Sequence, residues 1–176
     1  YAEKKKLVMA VYLKYYGKRL PSTIQFMLGK VKDAFEQRDG IVLDIRYFGE
    51  AKSFIPKNGV NVGMLNKEEL NALYAEADFG MVASLSNISL IPYEMLATGL
   101  PLIEFEDGTF QEFFPEDCAL LTSLSWKDLY LQMKACLDEP VRLAMYDANA
   151  RTYLETLSWE KTGKQFYDIL SELTLG

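Results

Sequence analysis

Residues 84–103 carry a pattern of side chains that could bind a phosphate group and a sugar. An apolar run ends at Ala83, and a polar loop, a short helix with the carboxylate of Glu94, a stop at Gly99 and a second apolar run follow. Amides at a helix N-terminus attract a diphosphate, and an acid about one turn further in can accept both hydroxyls of a sugar diol. The loop before the helix adds further polar groups around one apolar residue: Ser84, Ser86, Asn87, Ile88 and Ser89.

A second group of candidate residues follows the first apolar run of the chain. Lys14, Lys18 and Arg19 flank Tyr15-Tyr16-Gly17, just before a predicted helix. Two or three cations beside a helix N-terminus can bind a diphosphate. An ordinary solvated basic turn is the alternative for each cation, and an N-cap cluster is the alternative for the serine-rich loop.

Composition excludes several kinds of function. The chain has 176 residues, 49% of them hydrophobic, which suits one well-packed domain. A formal charge of −6 argues against nucleic acid as a partner, and the absence of histidine removes the usual general base and any His-containing zinc site. Cys118 and Cys136 form no CxxC pair and are expected to be buried free thiols in a reducing compartment. No apolar run approaches the roughly 20 residues of a membrane span, and no signal peptide is visible, so we expect a cytoplasmic protein.

Apolar runs alternate with helical patterns along the chain. This alternation predicts an α/β fold, a doubly wound and mostly parallel Rossmann-like sheet of about five or six strands. The predicted strands are 7–13, 41–48, 60–62, 79–83, 102–105 and 119–121.

Helical spacing of apolar residues predicts which helix faces are buried. The first helix follows Ser22 and Thr23 as caps, and Asn66 with Glu69 forms a capping box for the helix 67–77. The inward residues predicted for the first helix and the last three helices are Ile24, Met27, Leu28, Val31 and Phe35, then Leu129, Met133 and Cys136, then Val141, Ala144, Met145 and Ala148, then Phe166, Ile169, Leu170 and Leu173.

An ordered set of short motifs resembles a known family. The set is Gly63, Glu69-Leu70, Leu73-Tyr74, Ala77-Asp78, Glu94-Met-Leu-Ala97, Gly99-Leu-Pro101, Glu112 and Ser158-Trp159. It is similar to the C-terminal, donor-binding half of retaining GT-B glycosyltransferases of family 4. One position departs from the pattern, because Ser86 stands where the first acid of the family's acid-x7-acid motif is expected. Subfamilies that build rhamnose-containing or other surface polysaccharides have a similar loop.

The resemblance implies a role for each candidate residue. Glu94 would hold the nucleotide ribose, and Lys14 with Arg19 would neutralise the leaving diphosphate as the catalytic pair. The substrate would be a nucleoside diphosphate sugar, with no metal and no other cofactor. The remaining donor-binding residues would be Ser86, Asn87, Ile88, Ser89 and Lys18.

The resemblance also implies a domain organisation. Residues 1–157 would form the donor-binding domain, and residues 158–176 would be its C-terminal helix, packing toward an N-terminal acceptor domain. The chain begins at Tyr1 and not at Met, so we expect it to be a piece of a longer protein that is inactive alone. Any membrane contact would come from parts outside this piece.

Other classes of protein share this fold class. A receiver domain would have acids after its first strand, where this chain has Lys14, and a dinucleotide binder would have Gly-x-Gly-x-x-Gly, where only Gly17 is present. A Rossmann-like binding or scaffold module that has lost glycosyl transfer is the alternative function, suggested by Ser86.

Overall fold

A parallel six-stranded sheet forms the centre of the computed structural model, which describes residues 4–14, 20–51, 53–86 and 88–174. The strand order is β3-β2-β1-β4-β5-β6, and each neighbouring pair is parallel. This confirms the predicted doubly wound α/β fold. The strands are β1 (Lys6–Tyr12), β2 (Val42–Phe48), β3 (Val60–Gly63), β4 (Phe79–Val82), β5 (Leu102–Phe105) and β6 (Leu120–Thr122).

Six α-helices accompany the sheet. A π-helical turn, Phe35–Asp39, extends the first, and two 3-10 turns, Phe110–Glu112 and Glu116–Cys118, lie between β5 and β6. In the described residues no helix is both long enough and apolar enough to cross a membrane. The helices are α1 (Pro21–Ala34), α2 (Lys67–Glu76), α3 (Ile91–Ala97), α4 (Trp126–Asp138), α5 (Val141–Glu155) and α6 (Trp159–Thr174).

Two hydrophobic cores cover the two faces of the sheet. The first core joins β1 and β2 to α1 and α4, and the second joins the other face to α2 and α3. Helix α5 contributes Leu143 to the first core and Ala150 to the second. All the inward residues predicted for α1 and α4 are buried, and so are both free cysteines, Cys118 and Cys136.

Two glycines position α3 against the sheet. A Cβ on Gly80 of β4 would lie 2.5 Å from the sulfur of Met95, so any larger residue there would force the Met95 side chain to shift. Gly99 has φ +77° and ends the helix, with its amide bonded to the carbonyl of Leu96 at 3.0 Å. The predicted stop after the Glu94 helix is therefore confirmed.

The predicted caps of α1 are wrong. The helix begins at Pro21, its N-cap is Leu20, and no side chain caps it among the described residues. Proline has the φ angle of the first helical turn and lacks the N–H that a cap would satisfy. The helix therefore starts before Ser22 and Thr23.

The predicted inward face of α5 is also wrong. Val141, Ala144, Met145 and Ala148 are all exposed, whereas Leu143 and Ala150 are buried. Apolar residues occur on every side of this helix, so periodicity alone could not select a face. The helix instead packs through Leu143 on the first core and through Ala150, with the partly buried Tyr153 and Leu154, on the second.

Helix α6 is exposed along nearly all of its described length. Phe166, Ile169 and Leu170, predicted to face inward, are 64, 56 and 45% exposed, so that prediction is wrong for the core of this domain. The side chain of Leu173 lies outside the described part. Ser158 does cap the helix, because its hydroxyl accepts the amide of Lys161 at 3.0 Å.

Candidate functional site

The candidate site lies where the chain reverses its direction of travel through the sheet. Strands β2 and β3 lie on one side of β1, and β4 to β6 lie on the other. The connections after β1 and β4 therefore lead to opposite faces and leave a crevice between them at the carboxyl edge. Lys14 follows β1 and Ser84 follows β4, and the neighbouring strand ends Tyr12 and Val82 pair directly. Lys14 and Ser84 therefore follow neighbouring strand ends at the same edge of the sheet.

The start of α1 suits an anion on one side of this crevice. The first turn has no acidic residue, and among described side chains none caps it. Leu20 has φ 42° and ψ 49°, a strained conformation for a residue other than glycine. Lys14 is half-buried at the end of β1. Lys18 and Arg19, the other predicted cations, lie outside the described residues.

The start of α2 is occupied by its own side chains. The Asn66 side chain accepts the amide of Glu69 at 3.0 Å, and the Glu69 carboxylate accepts the amide of Asn66 at 2.9 Å. This confirms the predicted capping box, and it satisfies the donors that a ligand would otherwise use.

The other side of the crevice is formed by the loop before α3. Glu94 lies in the first turn of this seven-residue helix and is exposed. Ser86 is exposed, Ile88 packs partly against the second core, and Ser89 is half-buried. Asn87 lies outside the described residues.

Glu104, a residue that the sequence analysis did not single out, holds the loop after β4. Its side chain is fully buried at the end of β5 and accepts the amide of Ser84 at 3.0 Å and the hydroxyl of Ser84 at 2.7 Å. The Thr109 hydroxyl then donates to the carbonyl of Ser84 at 2.8 Å. Ser84 was expected to offer its hydroxyl to a ligand, but it gives that hydroxyl to Glu104. The only sequence signal was an acid inside an apolar strand.

A row of aromatic rings begins at the carboxyl ends of β1 and β2. The ring of Tyr12 is 5.5 Å from that of Phe48, and Phe48 is 5.9 Å from Tyr74 of α2. Burial raises the pKa of the Tyr74 phenol, and the negative charge of Glu94 and then Tyr12 raise it further. Tyr74 therefore remains protonated at neutral pH.

The Ala77-Asp78 element has a structural role at the opposite edge of the sheet. Asp78 is 5% exposed, accepts the amide of Val8 at 2.9 Å and pairs with Lys4. Its own amide donates to the carbonyl of Val8 at 2.8 Å. Asp78 thus joins β1 to the start of β4, far from the candidate site.

A separate groove of about 620 Å³ lies between α1 and the connection from β2 to β3. That connection is too short for a helix, so the face beside α1 stays partly open. Phe26 and Ile55 line the groove and are 61 and 85% exposed. None of the predicted site residues that the structure describes lines it.

No cluster of three or more potential metal ligands occurs in residues 4–14, 20–51, 53–86 and 88–174. This count covers histidine, cysteine, aspartate and glutamate side chains.

Comparison with known proteins shows what the fold resembles. No protein-family model matches the chain, and no curated protein matches it. Among solved structures, sucrose-phosphate synthase from Thermosynechococcus elongatus superimposes with a TM-score of 0.72 at 17% identity, over 99% of this chain and 46% of the synthase. Anabaena HepE in complex with UDP-glucose gives 0.74 at 12% identity, over 95% and 49%. A trehalose-6-phosphate synthase gives 0.76 at 10% identity, over 96% and 46%.

These likenesses define the class of fold. The neighbours are GT-B glycosyltransferases, and the sheet with its flanking helices matches one half of that fold. The chain spans about half the length of the three proteins named.

Proposed function

We propose that this chain is the donor-binding half of a glycosyltransferase and holds a nucleoside diphosphate sugar at the carboxyl edge of its sheet. The main support is that Lys14 follows β1 and the helix carrying Glu94 follows β4, and these two strands are parallel neighbours in the sheet. The HepE structure, which holds UDP-glucose, supports the class of ligand.

In this proposal the diphosphate lies against Lys14, Arg19 and the first amides of α1, with Lys18 nearby. When the bond between the anomeric carbon and the diphosphate breaks, negative charge develops on the leaving group. Fixed cations and amide dipoles stabilise that charge without needing to reorganise. Positive charge held in place by the chain would therefore replace a metal ion.

Glu94 would accept the two ribose hydroxyls on the other side of the crevice. A carboxylate has two oxygens and suits a vicinal diol, and bonds to a charged acceptor are worth roughly 1.5–3 kcal/mol each. The exposure of Glu94 supports this role, because a ligand can reach the group without opening the core. Ser86, Asn87, Ile88 and Ser89 would border the sugar.

The acceptor would be held by a second, N-terminal domain. The neighbouring structures are about twice as long as this chain, which supports such a partner. The exposed apolar stripe of α6, with Trp159 and Phe166, would pack toward that domain. This chain alone would bind the donor without completing transfer. The trehalose-6-phosphate synthase work concerns transfer with retention, and we propose the same stereochemical outcome here.

A second candidate is a donor-type domain that has lost catalysis and acts as a scaffold. Ser86, in place of the first motif acid, favours it. Turnover of nucleotide sugars by a protein that contains both halves separates the two candidates, because a scaffold would bind without releasing nucleoside diphosphate.

Substitution of Glu94 tests the proposal. We expect Glu94→Gln to weaken binding of a nucleoside diphosphate at least tenfold, about 1.4 kcal/mol, while thermal stability stays nearly unchanged. Isothermal titration with UDP, ADP and GDP measures the affinity. Glu36→Gln is the matched control, because Glu36 is exposed at the end of α1 on the opposite edge of the sheet.

Two further conditions test the phosphate site. Binding should survive a chelator, and it should weaken as salt rises, because cations of the chain hold the phosphates. Equal affinities for Glu94→Gln and the original chain, or binding that disappears with the chelator, would contradict the proposed site.

A further inference from the structure

Two buried side-chain oxygens in the described part of the chain have no hydrogen-bond partner there. They are the hydroxyls of Tyr74 and Ser89. An unsatisfied buried hydroxyl is costly, and a buried tyrosine usually has a partner for its O–H. Ser89 belongs to the loop before α3, and Tyr74 is 4% exposed. Tyr74 is the more deeply buried of the two residues, and its hydroxyl therefore calls for an explanation.

The packing of Tyr74 places its ring beside the carboxyl ends of β1 and β2. Its ring packs edge-on against Phe48, the last residue of β2, and Phe48 contacts Tyr12, the last residue of β1. Both strand ends lie at the carboxyl edge of the sheet. Helices α2 and α3 also share the second core, where Tyr74 and Met95 are both buried. Tyr74 and the helix that carries Glu94 therefore pack on the same face of the sheet.

Electrostatics determine which of Tyr74 and Glu94 can donate a hydrogen bond and which can accept it. The charge of Glu94 acts on the Tyr74 phenol and, together with burial, raises its pKa, so the hydroxyl is a donor and the carboxylate an acceptor. Glu94 is exposed, and exposed side chains change rotamer within nanoseconds. The carboxylate can therefore turn toward the hydroxyl when a ligand orders it.

We propose that Tyr74 is a positioning residue: in the nucleotide-bound state its hydroxyl donates a hydrogen bond to the carboxylate of Glu94 and orients it to accept the two ribose hydroxyls. This inference rests on the proposed function, because it needs a nucleotide at Glu94. It assigns a role to the tyrosine of the Leu73-Tyr74 element, which otherwise looks like an ordinary core residue.

The substitution Tyr74→Phe is tested by two measurements, the melting temperature of the free protein and its affinity for a nucleoside diphosphate, and we expect only the affinity to fall. It removes the unpaired hydroxyl and keeps the ring against Phe48, so the melting temperature of the free protein should stay the same or rise. Affinity for the nucleoside diphosphate should fall about fivefold to tenfold, because Glu94 loses its orienting donor. A purely structural hydroxyl would lower stability and leave affinity unchanged.

The pairing between the two residues is tested separately. If Tyr74 acts through Glu94, Tyr74→Phe in the Glu94→Gln background should change affinity less than twofold. The effect of Tyr74→Phe should also be smaller for 2′-deoxy-UDP than for UDP, because one hydroxyl of the diol is absent. Full additivity of the two substitutions would overturn the inference.

Tyr47→Phe is the matched control. Tyr47 is fully buried, and its hydroxyl donates to the Asn58 side chain at 2.8 Å. Losing that bond should lower the melting temperature and leave nucleotide affinity unchanged, the reverse of the result for Tyr74→Phe.

The original chain is titrated first with UDP, ADP and GDP. Failure to bind any of them would refute the proposed function. If the original chain binds and Tyr74→Phe binds equally well, only the positioning role is wrong, and a buried water is then the partner of the hydroxyl.

Discussion

Glu104 should stabilise the domain through its hydrogen bonds to Ser84. Both Ser84 donors are directed at this fully buried carboxylate, at 3.0 and 2.7 Å. In Glu104→Gln the amide oxygen can accept the Ser84 amide, but the new NH₂ group can bond the Ser84 hydroxyl only as a donor, so the hydroxyl proton loses its acceptor. An unpaired buried donor costs about 1–3 kcal/mol, and the lower desolvation cost of a neutral amide offsets part of it. We therefore expect a loss of about 2 kcal/mol.

Urea denaturation measures this loss as a lower midpoint with an unchanged m-value. A loss of about 2 kcal/mol should lower the melting temperature by roughly 4–8 °C in a domain of this size. Glu106→Gln is the control, because Glu106 is exposed just after β5 and should change stability by less than about 0.5 kcal/mol. Equal stability of Glu104→Gln and the original chain, or a gain, would refute the reasoning about Ser84.

Three further predictions concern groups away from the crevice. Asp78→Ala should cost about 2–3 kcal/mol in a denaturation curve, because the Val8 amide loses its partner, while nucleotide affinity stays the same. Cys118 and Cys136 should react with a thiol reagent only after unfolding, because burial raises the pKa of both thiols, to about 11 for Cys118. Burial tends to raise the pKa of Asp128, but hydrogen bonds from Ser123 and Thr122 outweigh it and hold the pKa below its usual value. This stabilisation is full above about pH 4 and is lost on acidification, so unfolding free energies of Asp128→Asn should fall less steeply below that pH.

Much of the fold could be predicted because its local signals agree. Continuous apolar runs marked strands covered on both faces, and Gly99 marked the end of the Glu94 helix. The buried face predicted for α4 is confirmed, because the apolar residues of this helix share one face. Helix α6 also has one apolar stripe, but the sequence of the stripe does not identify the surface that packs against it.

The parts of the site that could not be predicted depend on contacts between distant residues. Glu104 lies 20 residues from Ser84, and Tyr74 belongs to a different helix from Glu94. Glu104 differs from its sequence neighbours only as an acid inside an apolar strand, and Tyr74 looks like an ordinary core residue. Their roles follow from parallel strand ends meeting at one edge, which only the folded chain shows.

A crystal structure of the protein with the nucleoside diphosphate that binds most tightly would test the central claim most directly. The account predicts a diphosphate against Lys14 and the start of α1, and a ribose whose hydroxyls donate to Glu94. A nucleotide bound elsewhere, for example in the groove beside Phe26 and Ile55, would contradict it.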